Sequence, residues 1–156
     1  ASYRGQAPKP IAAAARLELE NLTGIAGGPW QAETCVVSAA GYGTKADLHM
    51  PAGLFSDVPW VVDIKTKDGD LADPFVSDEH AQQLAATRMA LAESIDVGYA
   101  AARCAILFVS RTELAAKAIE IPEPDVIRGG KCFFHLLAYW QEKNRYRPSW
   151  AKRAAA

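Results

Sequence analysis

Two carboxylates and an ammonium fall close together in "TKADLHM" and "WVVDIKTK": Asp47, Asp63 and Lys65. Residues two apart in a strand share a face, so Asp63 and Lys65 project side by side. Asp47 stands with Lys45 and His49 on the polar face of the preceding segment, while Ala46, Leu48 and Met50 alternate to the other side. If the two segments pair with their polar faces coincident, Asp47, Asp63 and Lys65 converge. Close carboxylates raise each other's pKa unless a cation separates them. A hard divalent ion, Mg²⁺ or Mn²⁺, suits such oxygens, and the Ile64 carbonyl offers one more. Lys65 beside the ion would orient or help deprotonate an attacking water, or meet charge growing on a phosphate. The tripeptide D-x-K alone is usually just the mark of a solvated strand face. The second acid and the apolar opposite faces are what point to a site.

The elements that must hold these residues follow from periodicity and breakers. Residues 11–22, "IAAAARLELENL", read as a helix rich in alanine and leucine, ended by "TGIAGGPW". "ETCVVSAAGYG" reads as a strand entering a glycine turn. "TKADLHM" and "WVVDIKTK" read as a hairpin across "PAGLFSDVP". After an acidic loop, Ser77 or Asp78 caps the helix "EHAQQLAATRMALAES", whose buried stripe is Ala81, Leu84, Ala85 and Leu91. "CAILFVSR" is a short, continuously apolar strand, and "AAKAIEIPEP" an edge strand stopped by prolines. A closing helix is expected from about Gly130. The order predicts one α/β (α+β) domain over residues 1–156, a mixed sheet flanked by helices, with a basic C-terminal helix and tail from about 130 to 156.

Composition bounds the function. Of 156 residues, half are hydrophobic and 22% charged, enough for a core. No apolar run is long enough to span a bilayer, and "ASYRGQAPKP" lacks the apolar stretch of a secretory signal, so the chain reads as cytoplasmic. The three cysteines, Cys35, Cys104 and Cys132, are scattered, against a disulfide framework, zinc ribbon or iron–sulfur cluster. The net charge of −1 hides an asymmetry: from Arg128 onward there are seven basic residues and one acid, Glu142. That basic stretch carries Tyr146 and Trp150 and suits a phosphate backbone, as it also suits a helix C-terminus. No serine–histidine or cysteine–histidine motif supports covalent catalysis, and "AGG" at 26–28 lacks the lysine of a phosphate loop.

"GYGTKADL", then "WVVDIKTK", then "HAQQLAAT" resembles the PD-(D/E)XK nuclease superfamily in its RecB-like, phage-exonuclease branch. The match runs over about residues 33–92. Gly43, Thr44 and Asp47 match its first motif, Asp63, Lys65 and Thr66 its second, and Gln83 its helical glutamine. Thr87 stands where that helix has tyrosine. The resemblance implies a restriction-endonuclease-like core with a sheet of four to five strands. It implies metal held by Asp47, Asp63 and the Ile64 carbonyl, Lys65 as catalytic lysine, and Gln83 at the edge of the site. A further acid on the first helix implies Glu18 or Glu20 as an additional ligand; Glu33 reads as peripheral. Thr66, Arg88, Lys143, Arg145 and Arg147 are the expected nucleic-acid contacts. His49 shares the predicted face of Asp47, His80 reads as exposed, and His135 as a core or boundary histidine.

The function so implied is a Mg²⁺- or Mn²⁺-dependent deoxyribonuclease, a RecB-like exonuclease of phage or prophage origin acting in DNA recombination, repair or end processing in a bacterial host. Its partners would be DNA, no membrane, and a second copy or a phage recombination protein. The rival readings are an inactive nucleic-acid-binding or assembly protein on the same fold, and a restriction-type endonuclease.

Overall fold

The computed structural model describes residues 9–53 and 55–149. Three helices, α1 (Lys9–Thr23), α2 (Asp78–Ser94) and α3 (Glu123–Asn144), flank five strands. The strands are β1 (Gln31–Ser38), β2 (Tyr42–Met50), β3 (Trp60–Lys67), β4 (Arg103–Ser110) and β5 (Ala116–Ile121). They form one mixed sheet in the order β1-β2-β3-β4-β5. Only β3 and β4 are parallel, so the connection between them must cross over, and α2 is that crossover. The expected α/β class with a mixed, helix-flanked sheet is what the chain adopts. Of the basic tail, Trp150, Lys152 and Arg153 lie outside the described residues.

The sheet is covered on both faces. On one side Leu19 of α1 meets Met50, Trp60, Val62, Ala105 and Leu107. On the other, Ala81, Leu84, Ala85, Ala90 and Leu91 of α2 and Val126 of α3 meet Val61, Cys104, Ile106 and Phe108. This accounts for the unbroken apolar run of β4, whose successive side chains serve both cores. The expected stripe of α2 is buried, and Ala86, Thr87 and Ala90 are buried with it.

Two expectations are corrected. The last helix begins at Glu123, seven residues before Gly130, with proline near its start, where a missing N–H costs nothing. Gly129 and Gly130 read as breakers because glycine is a poor helix former, yet here they let two helices touch. A Cβ on Gly129 would lie 2.6 Å from the Ala81 carbonyl carbon. His135, expected in the core or at its boundary, is exposed; Val126 and Gly129 are the buried residues of α3.

The second correction concerns the pleat. Ala46 packs in the α2 core, whereas Leu48 and Met50 pack toward α1. Side chains two apart therefore face opposite ways, and the strand turns over at Asp47. On β1 the same happens opposite: the register is continuous except at Glu33, which adopts a left-handed φ of 57°. Glu33 also pairs with Lys45 across the break. Beyond this point β2 is ladder-paired with β3 only at Leu48, His49 and Met50; the β1–β2 hairpin then leaves β3 and leans on α2. There Tyr42 donates to the Ala86 carbonyl and Thr44 bonds Thr87.

The helix contact gives a paired prediction. Gly129→Ala should destabilise by about 1–3 kcal/mol, because the added methyl meets backbone that cannot step aside. Gly130→Ala, whose methyl would sit 3.4 Å from the Ala85 Cβ, should be neutral or gain up to about 1 kcal/mol of helix propensity. Urea unfolding of both variants checks the contrast; equal effects would refute the close contact.

Candidate active site

The site lies where β2 and β3 part. In a regular sheet the Ile64 N–H would meet a β2 carbonyl; instead it donates to Asp47 Oδ2 at 2.9 Å. Asp47 thus spans the gap with its side chain. A strand residue's N–H and C=O point to the same edge, so the Ile64 carbonyl faces the gap as well. Asp63 and Lys65 project to the α2 side, as their spacing requires, and Val61 on the same side is core.

Asp63, Lys65 and Gln83 close into a ring. The Lys65 Nζ donates to Gln83 Oε1 at 2.7 Å. Gln83 Nε2 donates to Asp63 Oδ1 at 2.7 Å. Lys65 Nζ also stands 2.8 Å from Asp63 Oδ2. That last contact is a close ion pair, and beyond it the buried Oδ2 has no hydrogen-bond partner among the described residues. With Asp63 only 7% exposed, burial raises its pKa; Asp47 adds to the rise, and Lys65 opposes it. An under-coordinated buried carboxylate oxygen, with a second carboxylate in electrostatic reach, is the donor chemistry a hard divalent cation takes. Such an ion is held by one or two carboxylates with waters and phosphate oxygens, so Asp47 and Asp63 fit it. Among the described residues no three acids, histidines or cysteines gather in one place.

The remaining expected residues divide. Glu18 accepts from the Ala118 N–H of β5, so its carboxylate caps a sheet edge. Glu20 binds the Gly27 N–H and lines a cavity beside Ile64 on the α1 side. Neither joins Asp47 and Asp63 in a cluster of three. Thr66 is exposed after Lys65. Arg88 is engaged in the fold: it pairs with Glu123 at 2.7 Å and binds the Ala102 carbonyl, which ties α2 to α3. Arg147 pairs with Glu142, and Arg145 forms the left-handed cap of α3. Lys143 lies 5.8 Å from the Tyr139 ring centre, next to the edge-on pair Trp140–Tyr146. His49 is fully buried between Tyr99 and Thr34; the strand's turn-over carries it into the core, away from the face it was expected to share with Asp47.

His80 is the neighbour that its first-turn position concealed. It is half-buried, edge-on to Phe108, and its Nδ1 accepts the Ser77 N–H at 3.1 Å. Burial and the nearby Lys65 lower its pKa, which keeps the ring neutral beside the Asp63–Lys65–Gln83 ring. The signal was present as Ser77-x-x-His80, a capping box with histidine in the place of glutamate.

No family model matches the chain, and no curated protein matches it. Among solved structures, the crystal structure of SSO0001 is similar at 18% identity and a TM-score of 0.39, over 86% of this chain. The chain spans 59% of the length of that one. That likeness carries no functional argument.

Because the folded pKa of Asp63 is raised, the folded chain holds that proton to a higher pH than the unfolded chain does. The stability tied to it is therefore full below about pH 4 and is lost as pH rises through the folded value. Asp63→Asn keeps the Gln83 bond and removes this cost. In chelator it should leave Tm little changed at pH 4 and raise it at pH 7. A lower Tm at pH 7 would mean that the pair with Lys65 outweighs burial.

Proposed function

We propose that the chain is a divalent-metal-dependent nuclease that hydrolyses phosphodiester bonds in DNA, a RecB-like member of the PD-(D/E)XK superfamily acting as an exonuclease of phage or prophage origin. The observation that carries this reading is the buried Asp63 carboxylate, whose Oδ2 meets only the Lys65 ammonium while Asp47 stands in electrostatic reach. It is flanked by Lys65 and Gln83. No described helix is long and apolar enough to cross a membrane, and we place the protein in the cytoplasm of a bacterial host.

Mg²⁺ or Mn²⁺, held by Asp47 and Asp63, would supply the Lewis acidity that polarises the phosphate and makes water nucleophilic near neutral pH. The chain's own groups do the rest. Asp47 is fixed by the Ile64 N–H and Asp63 by Gln83, so neither carboxylate is free to swing. The Lys65 ammonium, 31% exposed, borders solvent and has donors to spare. It stabilises the negative charge that builds on the phosphate as one P–O bond forms and the opposite P–O bond breaks. Gln83 holds Lys65 and Asp63 together, and the neutral His80 adds no competing cation. The aromatic and basic end of α3, with Lys143 beside Tyr139, offers a stacking and charge surface for the strand.

End-labelled linear DNA and closed circular DNA, each incubated with Mg²⁺, Mn²⁺ or chelator, test the reading. Linear DNA should be degraded with either metal and spared in chelator. Lys65→Ala and Asp63→Asn should each lose about 10²–10³-fold in rate while the chain still folds. Cleavage of the circle would move the reading to an endonuclease. No hydrolysis of either substrate with either metal would overturn it.

A further inference from the structure

We propose that the cavity between α1 and the sheet takes a nucleobase, with Trp30 as its stacking wall. The cavity lies on the opposite face of the sheet from the Asp63–Lys65–Gln83 ring, and the binding proposed does not rest on the nuclease reading.

The cavity has a volume of about 380 Å³, within the range of small-ligand sites. Its floor is Ile64 and Leu48, the side chains that follow the two carboxylates, Asp63 and Asp47. It is therefore the reverse side of the candidate active site.

The lining matches a base better than an aliphatic ligand. One wall is the indole of Trp30, fixed by the tight turn in which its N–H donates to the Gly28 carbonyl at 2.8 Å. Gly28 permits that turn to press on the core: a Cβ there would lie 3.0 Å from both Ile25 Cγ2 and Met50 Sδ. The rim carries one carboxylate and one guanidinium, Glu20 and Arg16. Glu20 spends Oε1 on the Gly27 N–H, and Arg16 forms no ion pair among the described residues. An apolar slot with an aromatic wall and both an acceptor and a planar donor at its mouth complements a flat heterocycle with a polar edge. Stacking tolerates every base, while the rim pair gives a preference for bases that present both a donor and an acceptor.

The test uses 2-aminopurine deoxyribonucleoside, which carries no phosphate and so needs no metal. Titrated with the full chain in chelator, its fluorescence should be quenched along a saturable curve. Trp30→Phe should retain that curve within about threefold, and Trp30→Ala should weaken binding about tenfold or more. Ala12→Leu, placed on the exposed side of α1 at the cavity's edge, should do the same without removing a core residue, which covers the case in which Trp30→Ala fails to fold. Quenching that is linear with the native chain, or unchanged in both Trp30→Ala and Ala12→Leu, overturns the proposal. DNA hydrolysis measured on the same proteins separates the two ideas. Cleavage without saturable quenching removes the base site and leaves the nuclease. Saturable quenching lost in the variants, without cleavage by the native chain, removes the nuclease and leaves the base site.

Discussion

A carboxylate inside a protein must be neutralised, paired or coordinated, and the environment of Asp63 follows from that demand. Its strand is packed on both faces, so its side chain is largely removed from water. Lys65, two residues on, comes to the same face by the strand's own period. Gln83 comes from the crossover helix and bonds both partners. Even so, one Asp63 oxygen lacks a hydrogen bond. Burial of a charge with incomplete compensation costs stability.

The second carboxylate depends on a defect in the sheet. Had β2 kept its pleat, Asp47 would stand on a sheet face and the Ile64 N–H would pair with backbone. Because β1 and β2 turn over together at Glu33 and Asp47, the Asp47 side chain enters the sheet's own plane and takes the N–H that the ladder gave up. The same departure turns the outer hairpin toward α2, where Thr44 and Tyr42 are held by Thr87 and Ala86. Threonine is thus useful at position 87: its hydroxyl meets Thr44, and its small, half-apolar side chain buries without filling the space where the hairpin lands.

Much of this was legible in the sequence because the strands obey simple periods. "CAILFVSR" announces burial on both faces. D-x-K fixes two side chains on one face whatever the surroundings. "SDEHAQQLAAT" places Gln83 about one turn and a half into a helix that must follow β3. What the sequence hid were features decided by contacts distant along the chain. The turn-over at Asp47 cannot be read from "TKADLHM", whose alternation is regular; it arises with a left-handed residue on the neighbouring strand. Arg88 looks like a phosphate ligand until Glu123, 35 residues on, takes its charge. The early start of α3 was masked by glycines whose value lies in what they touch, and local propensity carries no record of that.

Those glycines bear on the site by a short route. Gly129 brings α3 onto the backbone of α2 at Ala81 and Gln82, the residues immediately before Gln83. Backbone pressed against backbone has almost no freedom to slide, because no rotamer change can absorb a shift. The first turns of α2 are therefore pinned between α3 on the outside and the apolar face of β3 and β4 within. His80 fastens the same turn at its N-terminus through the Ser77 N–H. Gln83 is a long, exposed side chain and would ordinarily sample several rotamers; it is dependable as a bridge because its backbone is immobilised on both sides and both ends of its amide are engaged. The small residues of α2 and α3, which carry no chemistry, thus set where the amide that holds Asp63 to Lys65 can be.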